Sequence, residues 1–387
     1  MRLFILLLGI ISLFSCGTSK FVKEPKVFFQ TNSKIRSAIL IDNGRLYYGN
    51  DDCEFYAINI FTQKEEWIYS TDAAVETWPV ITDGKIIFNA ENSLYILDCI
   101  NGNEIYKVTQ PSKNKIRVSQ DRWAFNDSYV AVSNGIAYYL TLDGELVAVD
   151  INKGSIIWTL ISESPGVVAS GINYDNGKLY YVDNSGHMCC VDIDKRKINF
   201  RTYIGDQIYA RIYINNGKLY AGGRSAKMYC IDGNSGEIIW SSHSFDKTTW
   251  LSGGSVSIGD TLYTCTSDEH TLAAFNKVNG EFLRIYPTET NAYTKPVLNS
   301  ENIIVAATDV YTFTQSNIME FDTKNHCKLW QIKLDDCVLS SPAIYQEVLY
   351  FGSDSGRIYY IALSGNKKVG KNDKNCDVCG IKFELNS

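Results

Sequence analysis

The side chains of this 387-residue chain best suited to redox or metal chemistry are eleven cysteines and four histidines. Cys189 and Cys190 are adjacent, within a segment His187-Met188-Cys189-Cys190-Val191-Asp192 that is typical of a strand. A strand points neighbouring side chains to opposite faces, so a disulfide between these two residues would be strained. We therefore expect two small buried thiols rather than a redox pair.

A second cysteine pair, Cys376-Asp377-Val378-Cys379, lies near the C-terminus. Its spacing suits a redox couple, half of a zinc site or a small disulfide loop. The sequence has no second CxxC to complete four thiolates and no βαβ pattern around this one. We predict a local disulfide between Cys376 and Cys379 in a C-terminal tail over residues 366–387, since exported proteins retain such bonds.

The histidines have no partner at the spacing of a metal site or a catalytic triad. We interpret all four as surface polar residues at turns or loops: His187, His243, His270 and His326. Serine-hydrolase, Walker and zincin motifs are also missing from the sequence. The residues therefore predict no metal site, no cofactor and no enzyme.

Cys16 lies in a different context, at the end of an apolar run from Leu3 to Phe14. Twelve residues are too few to span a bilayer but suit a signal peptide. The junction Leu13-Phe14-Ser15-Cys16-Gly17 resembles the lipobox of bacterial lipoproteins. We expect a signal peptide over residues 1–15, lipid on Cys16 and a polar tether over residues 16–25, with an ordinary secretory signal as the alternative. This predicts a protein anchored by lipid in the bacterial envelope, at the outer membrane.

The composition excludes other classes. A net charge of −6 argues against a nucleic-acid partner, because such partners are held by phosphate neutralisation. Hydrophobic residues make up 45% of the chain and aromatic residues 13%, a load that favours β-structure.

Hairpin signals recur through the chain. Asn-Gly or Asp-Gly pairs flanked by apolar runs occur at Asn43, Asp83, Asn134, Asn176 and Asn216, a Gly-Asp pair follows at Gly259, and weaker copies lie at Asn302 and Glu347. Both central residues of such a turn can adopt positive φ. The period of about 40 to 50 residues is typical of a four-stranded propeller blade.

A second marker accompanies the hairpins: an Asp or Asn ends a strand, and an aromatic residue follows eight positions later. The tryptophans at this position are Trp67, Trp158, Trp240 and Trp330. The acidic or amide side chain would cap a tight turn, and the ring would pack between adjacent sheets. The eighth repeat lacks its last strand, and Lys26–Thr31 has the pattern to supply it. The sequence thus predicts an all-β, eight-bladed β-propeller over residues 26–365, closed by an N-terminal strand.

The motif formed by Ala148, Asp150, Gly154 and Trp158 resembles the tryptophan-docking repeat of PQQ-like, or quinoprotein-like, propellers. With the lipoprotein signal, the chain looks most like the propeller subunit of the outer-membrane β-barrel assembly machinery. That resemblance implies a protein-binding scaffold whose partners are envelope proteins, among them a barrel assembly subunit. Two alternatives stay open: a propeller that binds a small molecule or glycan, and a PQQ-dependent oxidoreductase. Some quinoproteins of this fold stack the cofactor on a disulfide between adjacent cysteines, which gives Cys189 and Cys190 a second interpretation.

Loops on a rigid propeller are where a partner would bind. Segments leading into the innermost strands should meet around the axis on one face, and they carry Arg36, Trp78, Arg211 and Lys295; longer approaches carry Trp123 and Trp250. Aromatic and arginine side chains are typical of interface anchors, although rings here could also pack between blades.

Overall fold

The computed structural model describes residues 23–111, 130–141, 143–161, 170–183, 185–244 and 247–364. These residues form thirty-two β-strands and no helix. No helix within them is long and apolar enough to cross a membrane. The strands form eight antiparallel sheets of four strands each, which confirms the predicted all-β propeller of eight blades.

Blades 1 to 4 each consist of four consecutive strands. Blade 1 contains β2 Leu40–Asp42, β3 Arg45–Gly49, β4 Glu54–Asn59 and β5 Lys64–Ser70. Blade 2 contains β6 Val80–Thr82, β7 Lys85–Ala90, β8 Ser93–Asp98 and β9 Glu104–Thr109. Blade 3 contains β10 Ala131–Ser133, β11 Ile136–Leu140, β12 Leu146–Asp150 and β13 Ser155–Leu160. Blade 4 contains β14 Asn173–Asp175, β15 Lys178–Val182, β16 His187–Asp192 and β17 Lys197–Tyr203.

Blades 5 to 7 repeat this order, and blade 8 differs in its outer strand. Blade 5 contains β18 Tyr213–Asn215, β19 Lys218–Gly222, β20 Lys227–Asp232 and β21 Ile238–His243. Blade 6 contains β22 Ser255–Ile258, β23 Thr261–Cys265, β24 Thr271–Asn276 and β25 Phe282–Pro287. Blade 7 contains β26 Val297–Asn299, β27 Asn302–Thr308, β28 Ser316–Asp322 and β29 Cys327–Leu334. Blade 8 contains β30 Ala343–Tyr345, β31 Val348–Gly352, β32 Arg357–Ala362 and the N-terminal β1 Lys26–Gln30.

The first and last strands of the ring pair with each other, as the sequence predicts. Strand β1 runs antiparallel to β32, with Lys26 opposite Tyr360 and Gln30 opposite Arg357. The register shifts at Phe28, whose ring is 4% exposed and lies against Tyr350 and Tyr360. Blade 8 therefore holds both ends of the propeller together and leaves no incomplete sheet.

The turns between the first and second strands explain why the hairpin signals recur. Asn43 and Gly44 both have positive φ, as do Asp83 and Gly84. One of the weaker copies reaches the same backbone shape without glycine: Gln346 and Glu347 have φ of 47° and 61°. The fold can thus impose this turn without glycine, and the Asn-Gly sequence makes it easy to adopt.

The turns between the third and fourth strands carry the second marker. Asp98 Oδ1 accepts hydrogen bonds from the backbone N–H groups of Ile100 and Asn101, and Asp232 does the same for Asn234 and Ser235. Four residues after each such cap, the backbone is left-handed in seven blades: Gln63, Gly102, Gly154, Arg196, Gly236, Gly280 and His326.

The conserved geometry of this turn serves the packing of one blade on the next. A Cβ atom on Gly102 would lie 2.5 Å from the indole of Trp67, which belongs to the preceding blade. Gly280 stands in the same relation to Trp240, and Gly154 to Tyr106. At these turns the outer-strand ring of one blade is seated on the turn of the next, in space that a Cβ atom would fill.

The core is divided into layers between blades. Eight clusters of buried side chains correspond to the eight blade interfaces, including Leu46 and Tyr350 between blades 8 and 1. The second and third strands are packed on both faces and are almost continuously buried, whereas the outer strands are largely exposed. This rigid ring fixes the positions of the loops at its two ends.

Candidate functional site

The candidate site lies on one face of the ring. In an antiparallel blade the turn between the second and third strands, and the connection to the next blade, fall at the same end of the sheet. We call this end the loop face. The opposite face carries the hairpin turns and the capped turns described above.

Three of the predicted site residues meet at the axis on the loop face. Trp78, Arg211 and Lys295 each lie two residues before the innermost strand of blades 2, 5 and 7. The guanidinium carbon of Arg211 is 5.6 Å from the centre of the Trp78 ring, and Lys295 Nζ is 5.7 Å from it. Two cations from different blades thus share one indole across the axis. Spacing along the sequence brings these residues to equivalent places in different blades, and ring closure brings them together.

Beside this cluster is a pocket of about 200 Å³. Its described lining comes from blades 4 to 7 and consists of Asn173, Tyr174, Arg211, Ile212, Tyr213, Ile214, Ser255 and Lys295. Arg211 Nε donates a hydrogen bond to Asn173 Oδ1 at 3.1 Å. The described lining includes two cations and no carboxylate, so its potential favours anions.

Trp250 lies away from the axis, in a stack between blades 5 and 6. Its ring is 5.8 Å from that of Tyr209 at an interplanar angle of 13°, and the Arg224 guanidinium carbon lies 4.3 Å from the indole centre. Gln207 joins the group, since its Oε1 accepts hydrogen bonds from Tyr209 and Arg224. Arg224 is exposed, while the two rings are half-buried. A flat, partly exposed aromatic surface with an arginine on it is typical of an interface anchor.

Two further aromatic side chains are exposed on the loop face. Tyr311, in the second turn of blade 7, is 76% exposed, and Tyr203, at the end of β17, is 66% exposed. Among the described residues the opposite face has one strongly exposed ring, Phe61. The two most exposed aromatic side chains of the described residues therefore lie on the loop face, in blades 4 and 7.

Arg36 occupies the same face but a separate place. It forms a bidentate pair with Asp354, through Nε at 3.1 Å and Nη2 at 2.9 Å. Asp51 and Glu76 lie close enough to influence Arg36 electrostatically. Burial, together with the nearby carboxylates of Glu76 and Asp354, raises the pKa of Asp51 to about 6 despite the opposing effect of Arg36. Arg36 is thus held in an ion-pair network between blades 8, 1 and 2 rather than in the axial cluster.

The adjacent cysteines do not form a joint site. Cys189 packs between blades 3 and 4, and Cys190 packs between blades 4 and 5. Both are free thiols, and burial raises the pKa of Cys189 to about 12 and that of Cys190 to about 11. Cys190 lies opposite Phe200 in the small position that Ala57, Ala148 and Cys230 occupy opposite their tryptophans.

The quinone-calcium arrangement of the related enzymes does not fit the described residues. Calcium takes six to eight oxygen ligands, largely carboxylates, and the described axial pocket offers cations instead. The two thiols needed for a vicinal disulfide face different blade interfaces. No group of three or more His, Cys, Asp or Glu side chains in the described ranges could hold a metal ion.

Two of the four histidines lie in strands of the blades, not in turns or loops. His187 and His243 are the terminal residues of strands β16 and β21, so for these two the prediction of turns or loops is wrong. His270 lies in the turn before β24. His326 adopts the left-handed position of a capped turn, and its Nδ1 lies 3.2 Å from the Tyr286 hydroxyl.

Several predicted features lie outside the described residues: the lipidation site Cys16, the loop residue Trp123, and the cysteine pair Cys376 and Cys379. These stay predictions. The repeat tryptophans Trp67, Trp158, Trp240 and Trp330 all lie on outer strands, opposite the third strand of their own blade.

Sequence reasoning missed part of the loop face. Arg224 and Tyr209 flank Trp250 although they lie in another blade, and Asn173 reaches Arg211 from blade 4. A repeat alignment could have marked these positions as loop-face residues. Which of them touch depends on the ring geometry.

Comparisons with known proteins agree with this architecture. A family model described as outer membrane protein assembly factor BamB matches residues 26–166 and 142–369. The crystal structure of BamB from Moraxella catarrhalis is similar at a TM-score of 0.68 and 15% identity, covering 88% of this chain and 100% of that one. The crystal structure of a computationally designed protein, Ika8, has a TM-score of 0.68 and 12% identity, covering 86% of this chain and 97% of that one. The comparison with curated proteins gives no match.

Proposed function

We propose a function from one premise: this chain belongs to the family of the outer membrane protein assembly factor BamB. The protein is a non-enzymatic scaffold of the bacterial envelope that binds a protein partner in outer-membrane β-barrel assembly. The observation that supports this proposal best is the presence of exposed aromatic and arginine side chains on the loop face of blades 4 to 7.

The loop face suits a protein partner for physical reasons. The ring positions the loops rigidly, so that little conformational entropy is lost when they bind. The Tyr209–Trp250–Arg224 stack offers a flat surface of the kind that dominates binding energy in protein interfaces. Trp78, Arg211, Lys295 and Arg36 extend the same face to the axis and to blade 1, and we place them within the contact surface.

Lipid on Cys16 would hold the propeller at the membrane while its body stays in water. The described chain begins at Lys23, whose Nζ donates to the carbonyl of Leu363 at 2.8 Å and lies 4.7 Å from the centre of the Trp330 ring. The tether would therefore leave the propeller beside blades 7 and 8. A Cys16→Ser chain should move from the membrane fraction to the soluble fraction of the cells; persistence in the membranes would contradict the anchoring.

The partner is tested by crosslinking in intact cells followed by mass spectrometry. We expect the native chain to capture a barrel assembly subunit above the level of an unrelated lipoprotein. Combined Trp250→Ala and Arg224→Ala substitution should reduce this capture about tenfold or more, because the truncation removes the stacked anchor.

A matched control comes from the opposite face. Ile100 and Val278 are 62% and 56% exposed in the capped turns of blades 2 and 6. Ile100→Ala with Val278→Ala should leave capture unchanged. Equal capture by the loop-face variant, with the same melting temperature, would contradict the proposed binding face.

A further inference from the structure

The axial pocket combines two cations with a buried amide donor that has no partner among the described residues, and the scaffold function alone does not explain this combination. We propose that this pocket binds a carboxylate group, carried by a small organic acid or by the C-terminal end of a peptide. The ligand would lie at the axis on the loop face, between the innermost strands of blades 4 to 7.

The charges of the pocket favour an anion. Arg211 and Lys295 approach the same Trp78 ring from blades 5 and 7, and both line the pocket. An oxyanion in the pocket would accept charge-assisted hydrogen bonds from these two side chains. A carboxylate matches the planar guanidinium better than a spherical anion does, because its two oxygens lie in one plane.

Asn173 supplies a second, independent observation. Its side chain is 4% exposed and lines the pocket, and its Nδ2 has no hydrogen-bond partner among the described residues. The orientation of the amide is fixed, since Oδ1 accepts from Arg211 Nε and a flipped amide would bring two donors together. A buried donor without an acceptor destabilises the folded state, because its hydrogen bond to water is lost. A carboxylate oxygen in the pocket would accept this hydrogen bond.

The rest of the lining limits the ligand. The volume of about 200 Å³ admits a group the size of one amino-acid residue. Tyr174, Tyr213 and Ile214 offer aromatic and aliphatic surface beside the cations. A carboxylate on a short carbon body can place that body against these side chains, which an inorganic ion cannot do.

Binding of a carboxylate in this pocket would add a ligand to the proposed scaffold, and it does not depend on which protein the scaffold binds. It is tested on the purified chain, whereas the scaffold is tested by capture in cells. Failure of one experiment therefore leaves the other standing.

Isothermal titration calorimetry with two matched ligands tests the charge directly. N-acetyl-leucine carries a carboxylate, and N-acetyl-leucine amide has the same body without the charge. We expect the acid to bind at least about tenfold more tightly than the amide and to weaken at high salt. Equal affinity for both, or binding of neither, would overturn the proposal.

Three further arms define the ligand class. Inorganic phosphate that bound as tightly as the acid would overturn the assignment to a carboxylate. A pentapeptide ending in leucine, with a free or amidated C-terminus, distinguishes the two sources. Binding of the free-ended peptide supports a peptide end, and binding of N-acetyl-leucine alone supports a small acid.

Point variants test whether the acid binds in the axial pocket. Lys295→Met removes one cation, and Asn173→Asp replaces the unpaired donor by a carboxylate of the same shape. Both variants should bind N-acetyl-leucine about tenfold more weakly and should no longer prefer it to the amide. Lys247→Met, at an exposed residue between blades 5 and 6, is the matched control and should bind normally. Normal acid binding by both pocket variants, with melting temperatures equal to that of the control, would overturn the location.

Discussion

At the scale of single residues, the loop face contains side chains whose environment departs from their ordinary one. Asp51 is the clearest example. Its Oδ1 is buried without a hydrogen-bond partner among the described residues, and its Arg36 neighbour is already engaged by Asp354. The carboxylate is thus only partly compensated, which is the reason that burial dominates its pKa.

This environment gives a prediction about pH. The pKa of Asp51 is raised from 3.8 to about 6 in the folded chain, so the folded state binds the proton more tightly than the unfolded state. The ionised group costs no stability below pH 3.8; the cost grows as the pH rises from there through 6, and it is complete above that value. Asp51→Asn should therefore stabilise the protein by about 1 kcal/mol at pH 8, after a discount for partial exposure, and by almost nothing at pH 3.5.

Thermal denaturation at the two pH values measures this difference. Asp52→Asn is the control, because Asp52 is adjacent in sequence and exposed. A gain for Asp51→Asn that was the same at both pH values would show that the effect does not come from ionisation.

At the scale of structural elements, the propeller depends on one recurrent joint. In four blades an outer-strand ring docks on the capped turn of the next blade, and a left-handed glycine makes the space. In blade 7 the left-handed residue is His326, and in blade 4 it is Arg196, so the backbone geometry persists where glycine does not. The fold therefore requires the turn, and glycine is the residue that satisfies it at least cost.

Two glycines of blade 2 allow the cost of a left-handed backbone to be measured separately from the docking of the Trp67 ring. Gly84 and Gly102 have nearly the same φ, +71° and +72°, but an added Cβ meets nothing at Gly84 and meets the Trp67 indole at Gly102. Gly84→Ala should cost about 1 kcal/mol for its left-handed backbone alone. Gly102→Ala should cost a further 1–3 kcal/mol, roughly, because the ring must move.

Denaturant unfolding of both variants measures the difference in the free energy of unfolding. Tryptophan fluorescence adds a second readout, since a displaced Trp67 should become more exposed. Equal costs at the two positions would mean that the ring is not seated on the turn.

At the scale of the whole molecule, closure of the ring links the two ends of the chain. Strand β1 completes blade 8, so eight blade interfaces form a circle in which each supports the next. A ring of this kind has no terminal blade that could fray first. Loss of one contact in blade 8 should consequently destabilise the entire domain.

Adjacent residues of β1 test this closure. Phe28 is 4% exposed and Val27 is 48% exposed. Phe28→Ala should cost about 3–5 kcal/mol, because it removes a buried ring from the interface of blades 8 and 1. Val27→Ala should stay within about 0.5 kcal/mol.

The melting temperature and the width of the transition report the result. Deletion of residues 26–32 should lower the melting temperature further than either substitution. An unchanged melting temperature after the deletion would contradict closure by the N-terminal strand.

The sequence by itself determined the repeated part of this protein. Each hairpin signal, each capping Asp or Asn and each outer-strand ring acts within one blade or between neighbours in the chain, so local chemistry is enough to predict eight blades and the strand that closes them. Trp78, Arg211 and Lys295 could also be placed on one face, because each holds an equivalent position ahead of an innermost strand.

Only the tertiary structure decided which side chains meet. Trp78 lies more than one hundred residues from Arg211 and more than two hundred from Lys295 along the chain, and they share a site only because the ring brings blades 2, 5 and 7 to one axis. In the closed ring, Arg36 forms an ion pair with Asp354. Cys189 and Cys190 pack in different blade interfaces. Repeats fix where a residue stands in its blade, whereas contact across the axis depends on the number and curvature of all the blades together.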